Sequence, residues 1–400
     1  MIGNEPWLVD ILTLRYAPNS KITLPSIKIS DITSSPQDVQ KIVEKKIKAN
    51  IVRFIDSRKP RRISLALSGG VDSMLALVLI RELFPDLKIQ CISFGFTPED
   101  PDILAASVAA QKYNADFESF LLDNFYSNLP KQISIVGEPK TNYYWYSVAE
   151  KAKQYSDILV TGDGGDELFA GYTFRYKAYL EAFRPECTWL DRVKLYLNCH
   201  NRDWVDDQDE MFGPAINFSW NSIYENLRQF FDNSLQPLQQ VCIADYHGKL
   251  ARDWVPAHEK IYSALGMSGF SPFLNNDLIR HSFTIPMTEK YSSMLNVGKI
   301  TLRKILHDKN CSVDVGKRGF TPNLMMFWNN HGKGFVTQFL LDDSRVITGG
   351  LISKKWVQRA LETVDKRHDI RYMNKLLHIV GFEVWYRLFV SKDMSPSTTL

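Results

Sequence analysis

Apolar residues recur at Val39, Ile42, Val43, Ile47, Ile51, Val52 and Ile55. That spacing lays them along one stripe of a helix. Ser35 suits an N-cap and Pro36 the first turn, so the pattern predicts an amphipathic helix over 36–56. The period then changes. Ile63-Ser64-Leu65-Ala66-Leu67 is a short apolar run closed by glycines, which predicts a buried strand over 63–67. Residues 72–83 are strongly apolar without Gly or Pro and predict a helix. A strand over 89–94 follows, then a helix over 101–114 whose acidic start suits the helix dipole. A strand over 117–122, a helix over 144–154 and a strand over 157–160 continue the series. Strands alternating with helices of this length predict an α/β fold, a doubly wound parallel sheet covered on both faces.

The flanks differ from this core. Residues 1–35 are broken by prolines, show little periodicity and read as an N-terminal arm. The alternating pattern fills 36–172, and a mostly helical region rich in aromatic residues is expected over 173–394. The end, 395–400, reads as a disordered tail.

Composition narrows the function. Hydrophobic residues make up 44% and charged residues 23%, ordinary globular usage. The net charge of +3 comes from 48 basic and 45 acidic residues, which leaves no footprint for nucleic acid or a membrane surface. The basic run Lys59-Pro60-Arg61-Arg62 reads as a solvated strand entry. Cys91, Cys187, Cys199, Cys242 and Cys311 are scattered without a C-x-x-C pair, which argues against disulfides and against a zinc or iron–sulfur site. A reducing cytoplasm is the simplest compartment. No signal-peptide pattern opens the chain, and no apolar run approaches the ~20 residues of a membrane helix.

Two segments carry chemistry. In the first, a strand ends in Ser68-Gly69-Gly70-Val71-Asp72-Ser73 and a helix begins. Two glycines allow a tight turn, the helix start aims free N–H groups at it, and two hydroxyls add donors, so the segment is built to cradle phosphate. It lacks the Gly-Lys-Ser/Thr ending of a Walker A loop and the G-x-G-x-x-G spacing of a dinucleotide site. Asp72 beside a phosphate makes sense with a cation between them, and Mg²⁺ is commonly held by one or two carboxylates plus substrate oxygens. The bland alternative is a plain glycine turn.

The second segment is Thr161-Gly162-Asp163-Gly164-Gly165-Asp166-Glu167, again at a strand end. In a doubly wound sheet ligands bind at the carboxyl ends of the strands, so both loops are expected on one edge, where Asp72 and Asp166 could share one Mg²⁺. A calcium-type or structural acidic turn is the alternative, although the spacing does not fit an EF-hand.

Together these segments resemble the synthetase domain of the asparagine synthetase family, which includes β-lactam synthetase. Gly298-Lys299-Ile300-Thr301-Leu302-Arg303 is similar to that family's Gly-Lys-x-x-Leu-Arg, Pro272-Phe273-Leu274-Asn275 to its Pro-Phe-Leu-Asp, and Lys317-Arg318-Gly319-Phe320 to its Lys-x-Gly-Phe. The resemblance spans roughly 40–390 and implies an ATP pyrophosphatase fold of the PP-loop type. It implies an AMP-forming ligase: a carboxylate attacks the α-phosphate of ATP, pyrophosphate leaves, and ammonia or an amine displaces AMP. Carried over by position, Leu67, Phe94, Thr161 and Gly162 would border the adenosine, while Ser68, Gly69, Gly70 and Ser73 would hold the pyrophosphate. Asp72 and Asp166 would hold Mg²⁺, and Lys299 would steady the charge that grows on the phosphates.

The sequence also departs from the family. It shows no cysteine at position 2 and no room for a glutamine-hydrolysing domain, so free ammonia, a partner glutaminase or an amine-bearing substrate is expected as nitrogen source. Ser268, Phe270 and Asn275 stand where the family's substrate pocket has glutamate, arginine and aspartate, which points to a substrate less polar or larger than aspartate. His258 and Glu259 lie nearby as possible bases, though both read first as structural helix residues. Two other classes stay open. A tRNA-modifying enzyme on the same loop would need a cysteine pair or a basic surface. A catalytically silent relative would explain the altered pocket but not the intact Asp72, Asp166 and Lys299.

Overall fold

In the computed structural model, residues 6–32, 38–139, 144–200, 204–313 and 323–400 are described. Five parallel strands form the central sheet: β1 (Arg62–Ala66), β2 (Lys88–Gly95), β3 (Asp116–Leu121), β4 (Ile158–Val160) and β5 (Ser268–Phe270), in the order β3-β2-β1-β4-β5. The order reverses between β1 and β4, which makes their carboxyl ends a topological switch point. Four strands agree with the sequence pattern to within one or two residues. β5 was not expected. It is three residues long, Ser-Gly-Phe, and carries no periodic signal of its own, but the register Ile158↔Ser268 and Val160↔Phe270 extends the sheet. The helical second half therefore donates a strand to the sheet of the first half.

The pleat sorts the strand side chains. Ile63, Leu65, Ile89, Cys91 and Val160 point to one face, against α2 (Val39–Arg58), α3 (Val71–Leu83) and α4 (Pro101–Lys112). Ile92, Phe94 and Leu159 point to the other, against α6 (Trp145–Lys153) and the helix Val255–Ala264. α5 (Leu129–Val136), which the sequence pattern did not single out, sits on this side with Val136 buried. Asp38 caps α2 through its carboxylate on the Lys41 N–H, whereas Ser35 and Pro36 lie outside the described residues.

The arm is more than a strap. It contains α1 (Pro6–Leu14), whose Leu8 and Leu12 are buried with Trp356, Leu376 and Phe382 in a second core. The buried Lys375 ammonium donates to the Leu12 carbonyl at 2.9 Å. The tail is ordered as well: the Asn124 amide donates to the Leu400 carbonyl at 3.0 Å. Among the described residues no helix is long and apolar enough to cross a membrane, and all five cysteines are free thiols.

One long helical element packs its last part against β5. It runs Pro237–Asp245, widens into π-helical turns over Tyr246–Trp254, and resumes as Val255–Ala264. Such widened turns push extra side chains to one side and often serve functional sites.

Phe273 ties the core to the sheet edge. It is fully buried and meets Phe169, at the end of α7 (Gly165–Phe169), edge-on at 6.4 Å. Phe273→Ala is expected to lower the unfolding free energy by about 3–5 kcal/mol, read from urea denaturation; a loss under ~1 kcal/mol would show that this contact is dispensable.

Candidate active site

A cavity of about 980 Å³ opens at the switch point. Leu67, Ser68, Gly70, Asp72, Ser73, Phe94, Thr161, Gly162, Asp166 and Lys299 all line it. Ten of the sequence-derived candidates, taken from four separate segments, thus converge on one space. Gly69 does not line it but makes the turn, with φ +65° in the left-handed region.

The glycine loop is braced from within. The Ser73 hydroxyl donates to the Gly70 carbonyl at 3.2 Å and accepts the Ser68 N–H at 3.3 Å. Asp72 sits in the first turn of α3, and Asp166 in the first turn of α7. Lys299 reaches both. Its ammonium lies 2.5 Å from Asp72 Oδ2 and 2.8 Å from Asp166 Oδ1. The lysine backbone is left-handed, φ 56° and ψ 34°, a conformation costing about 1–2 kcal/mol for a residue with a side chain. It is held there by the Lys299 N–H donating to the Phe169 carbonyl at 3.0 Å.

One ammonium serves two carboxylates, and the titration of the group reflects that imbalance. Burial would lower Lys299, but Asp166 and Asp72 together hold it above the ordinary lysine range. Burial and the Asp166 charge push Asp72 up from 3.8 to about 6, against the pull of Lys299. Among the described residues, Asp72 Oδ1 is buried without a hydrogen-bond partner. An oxygen left bare beside a half-exposed second carboxylate fits a hard cation that takes its other ligands from phosphate.

The apolar end of the cavity is shaped for a flat ring. Phe94 packs against Tyr144 at 5.3 Å and Phe120 at 5.8 Å, and Leu67, Ile92 and Val148 line the same end.

Sequence reasoning passed over several residues that line this space. Asp163 is one. Its Oδ2 accepts the Thr161 hydroxyl at 2.9 Å and faces His258 Nδ1 at 3.1 Å. Burial would raise Asp163, but the imidazole outweighs it and holds the carboxyl below its ordinary value. His258 itself is buried, stacked on Trp145 at 4.4 Å, and does not line the cavity. The acidic-glycine spacing around Asp166 was a usable signal for Asp163. Arg15, Arg175 and Lys249 also line the cavity, and no motif marked them.

Three pocket candidates sit elsewhere. Phe270 stacks on Phe54 of α2 at 4.0 Å, Ser268 of β5 pairs with Ile158 of β4, and Asn275 Oδ1 caps a helix through the Leu278 N–H at 2.8 Å. None of the three lines the cavity. Packing has given them structural work, so the size argument built on Phe270 loses its footing. Glu259 is exposed on its helix. The segment Lys317-Arg318-Gly319-Phe320 lies outside the described residues.

Fold and crevice define a doubly wound α/β protein with a glycine cradle, two carboxylates and an ammonium at its switch point. The profile of the asparagine synthase family matches residues 56–387, and the chain belongs to that family. It is 22% identical to the glutamine-hydrolyzing asparagine synthetase 1 of Bacillus subtilis, over 98% of this chain and 68% of that one. It is 30% identical to a Mycobacterium tuberculosis protein designated "putative asparagine synthetase, glutamine-hydrolyzing", over 82% of this chain and 55% of that one. The chain therefore spans between about half and two thirds of these relatives' length. The solved U34-tRNA thiolase NcsA of Methanococcus maripaludis aligns at 12% identity over 62% of this chain and 76% of that one, with a TM-score of 0.23, too low to bear on the argument.

Gly171 tests the cluster's packing. A Cβ there would stand 1.8 Å from Asp166 Oδ1 and 2.3 Å from Lys299 Cε. Gly171→Ala is expected to weaken binding of ATP with Mg²⁺ at least about tenfold by calorimetry in a protein that still folds. Unchanged affinity would separate this cluster from nucleotide binding.

Proposed function

We propose that this protein is an ATP-dependent, AMP-forming amide ligase. A substrate carboxylate attacks the α-phosphate of ATP, pyrophosphate leaves, and a nitrogen nucleophile displaces AMP from the acyl-adenylate to form an amide. The observation that carries this reading is the Lys299 ammonium set between Asp72 and Asp166 at the foot of the glycine loop. Family membership supports it independently.

Each residue then has a physical task. Ser68 and Gly70 offer donors to the departing pyrophosphate, and the start of α3 adds its dipole. Phe94 and Tyr144 hold the adenine at the apolar end. Mg²⁺, held by Asp72 and Asp166, would neutralise polyphosphate charge. Lys299, fixed by its strained backbone, places a cation where negative charge grows in the transition state, so no reorganisation is needed as it forms. Asp163 is the carboxylate available to the incoming amine. His258 and Thr161 hold it ionised and oriented, able to accept a proton as the nitrogen attacks. The acid and the nitrogen source belong to the same proposal: a small-molecule carboxylate, with ammonia or an amine.

A pyrophosphate-release assay with ATP, Mg²⁺ and a panel of carboxylates, with ammonia or amines added, tests the reaction. Release that depends on no carboxylate would count against a ligase. In that assay Lys299→Ala should lower kcat by about 10²- to 10³-fold, with a smaller change in the KM for ATP. Undiminished turnover would remove Lys299 from the chemistry.

Asp72 adds a pH signature. Its folded-state value of about 6 lies above the ordinary 3.8, so its contribution to stability is full at acid pH and is lost as pH rises through about 6. A cation at Oδ1 favours the ionised form and reverses that trend. Mg²⁺ should therefore raise Tm more at about pH 8 than at about pH 5, and the acid limb of kcat/KM should move to lower pH as Mg²⁺ increases. Equal Mg²⁺ stabilisation at both pH values would exclude Asp72 as a ligand.

A further inference from the structure

β3 closes the sheet at one edge and pairs with β2 alone. The parallel register sets Ser119 opposite Ser93 and Leu121 opposite Gly95. Just past the strand, the Leu122 N–H donates to the Gly95 carbonyl at 3.0 Å. The even-numbered residues therefore turn their N–H and C=O groups inward to β2, and Phe117, Ser119 and Leu121 turn theirs outward. Among the described residues, none of those outward groups has a hydrogen-bond partner.

An open edge is a template for another strand, and proteins commonly guard it with lysine or proline, or with other charged side chains. β3 reads Asp-Phe-Glu-Ser-Phe-Leu and has neither lysine nor proline. Its two acids are already neutralised within the chain. Arg62 faces Asp116 at 3.4 Å, and Lys151 lies 2.5 Å from Glu118 Oε1, while Glu118 Oε2 accepts the Tyr155 hydroxyl. Its apolar side chains are incompletely covered: Leu121 is 52% exposed, and Phe117 and Phe120 are half-buried.

We propose that β3 pairs with β3 of a second copy of this chain, antiparallel about a two-fold axis, so that one continuous sheet runs through both copies. A two-fold axis sets a strand antiparallel to itself, which makes an open edge complementary to its own copy. One register keeps every outward group within the strand. It places Ser119 opposite the partner's Ser119 on the axis and Phe117 opposite the partner's Leu121, and each of these pairs exchanges both N–H···O bonds. Centring on Glu118 would set two glutamates face to face and would turn Leu121 towards the partner's Ala115; in this chain the Ala115 N–H is already spent on the Ala110 carbonyl at 2.9 Å. Centring on Phe120 would carry Phe117 past the strand end, opposite the partner's Asp123. The Ser119 register instead faces Phe117 with leucine and Glu118 with phenylalanine, so no like charges oppose. No residue of β3 lines the cavity, so the pairing is independent of the proposed reaction.

Sedimentation equilibrium of the whole protein at micromolar concentrations should give twice the 46.0 kDa of one chain. Ser119→Pro removes an outward N–H at the axis and no bond to β2, a change that edge strands tolerate. It should weaken dimerisation at least about tenfold. Leu121→Lys, which sets a charge on the open edge, should do the same and serves should the proline variant fold poorly, with far-UV circular dichroism as the check on folding. Cross-linking reads the register. Cys187 is the one thiol that is not buried, so Cys187→Ser provides the background. There Ser119→Cys should join two copies through a short bis-maleimide, whereas Val108→Cys, 68% exposed on α4, should not. A 46.0 kDa species at every concentration, a dimer that both variants leave intact, or equal cross-linking at the two cysteines would overturn the pairing.

Discussion

The Lys299 ammonium lies between Asp72 and Asp166, two carboxylates brought to one sheet edge by two different strand–helix turns. Burial first, and then repulsion from Asp166, raises the Asp72 carboxyl. The lysine offsets that repulsion only because a third segment, far along the chain, is pressed against α7 in a left-handed conformation. Glycine at position 171 leaves the space this requires. Among the described residues Asp72 Oδ1 is left without a hydrogen-bond partner, and the proposed Mg²⁺ with its polyphosphate would complete the charge balance there.

From that node the cavity divides by chemistry. Its apolar end, walled by Phe94 and Tyr144, suits a base; its centre carries the glycine loop. Asp163 faces the space from the loop after β4, oriented by His258, and Lys249 and Arg175 close the far corner. The π-helical turns of Tyr246–Trp254 explain how one helical element lines the cavity with both Lys249 and Trp254 while it buries Asp245 and Asp253 behind them. In the proposed reaction, nucleotide, acid and nitrogen nucleophile would meet where the sheet order reverses.

The sequence was a good guide where the signal is local. Four strands and the helices around them could be read from apolar periodicity because each is long enough to show its period, and the glycine turns because only glycine suits them. β5 escaped because three residues have no period; it is a strand only through its pairing with β4. α1 escaped because its partners, among them Trp356 and Leu376, lie more than three hundred positions away. Phe270 shows the opposite error. A substitution at a position with a pocket-like motif was read as a change of pocket, yet the ring stacks on Phe54, both half-buried against the core.

The sequence by itself determined the alternating sheet, the phosphate-type turn after β1, the acidic glycine turn after β4 and the presence of Lys299, since each depends on neighbours within a few residues. Only the tertiary structure decided that these meet around one ammonium and that Asp163 is held by His258. Those facts are distances between residues remote in the chain, and electrostatic energy depends on distance and burial, which no local pattern of residues encodes.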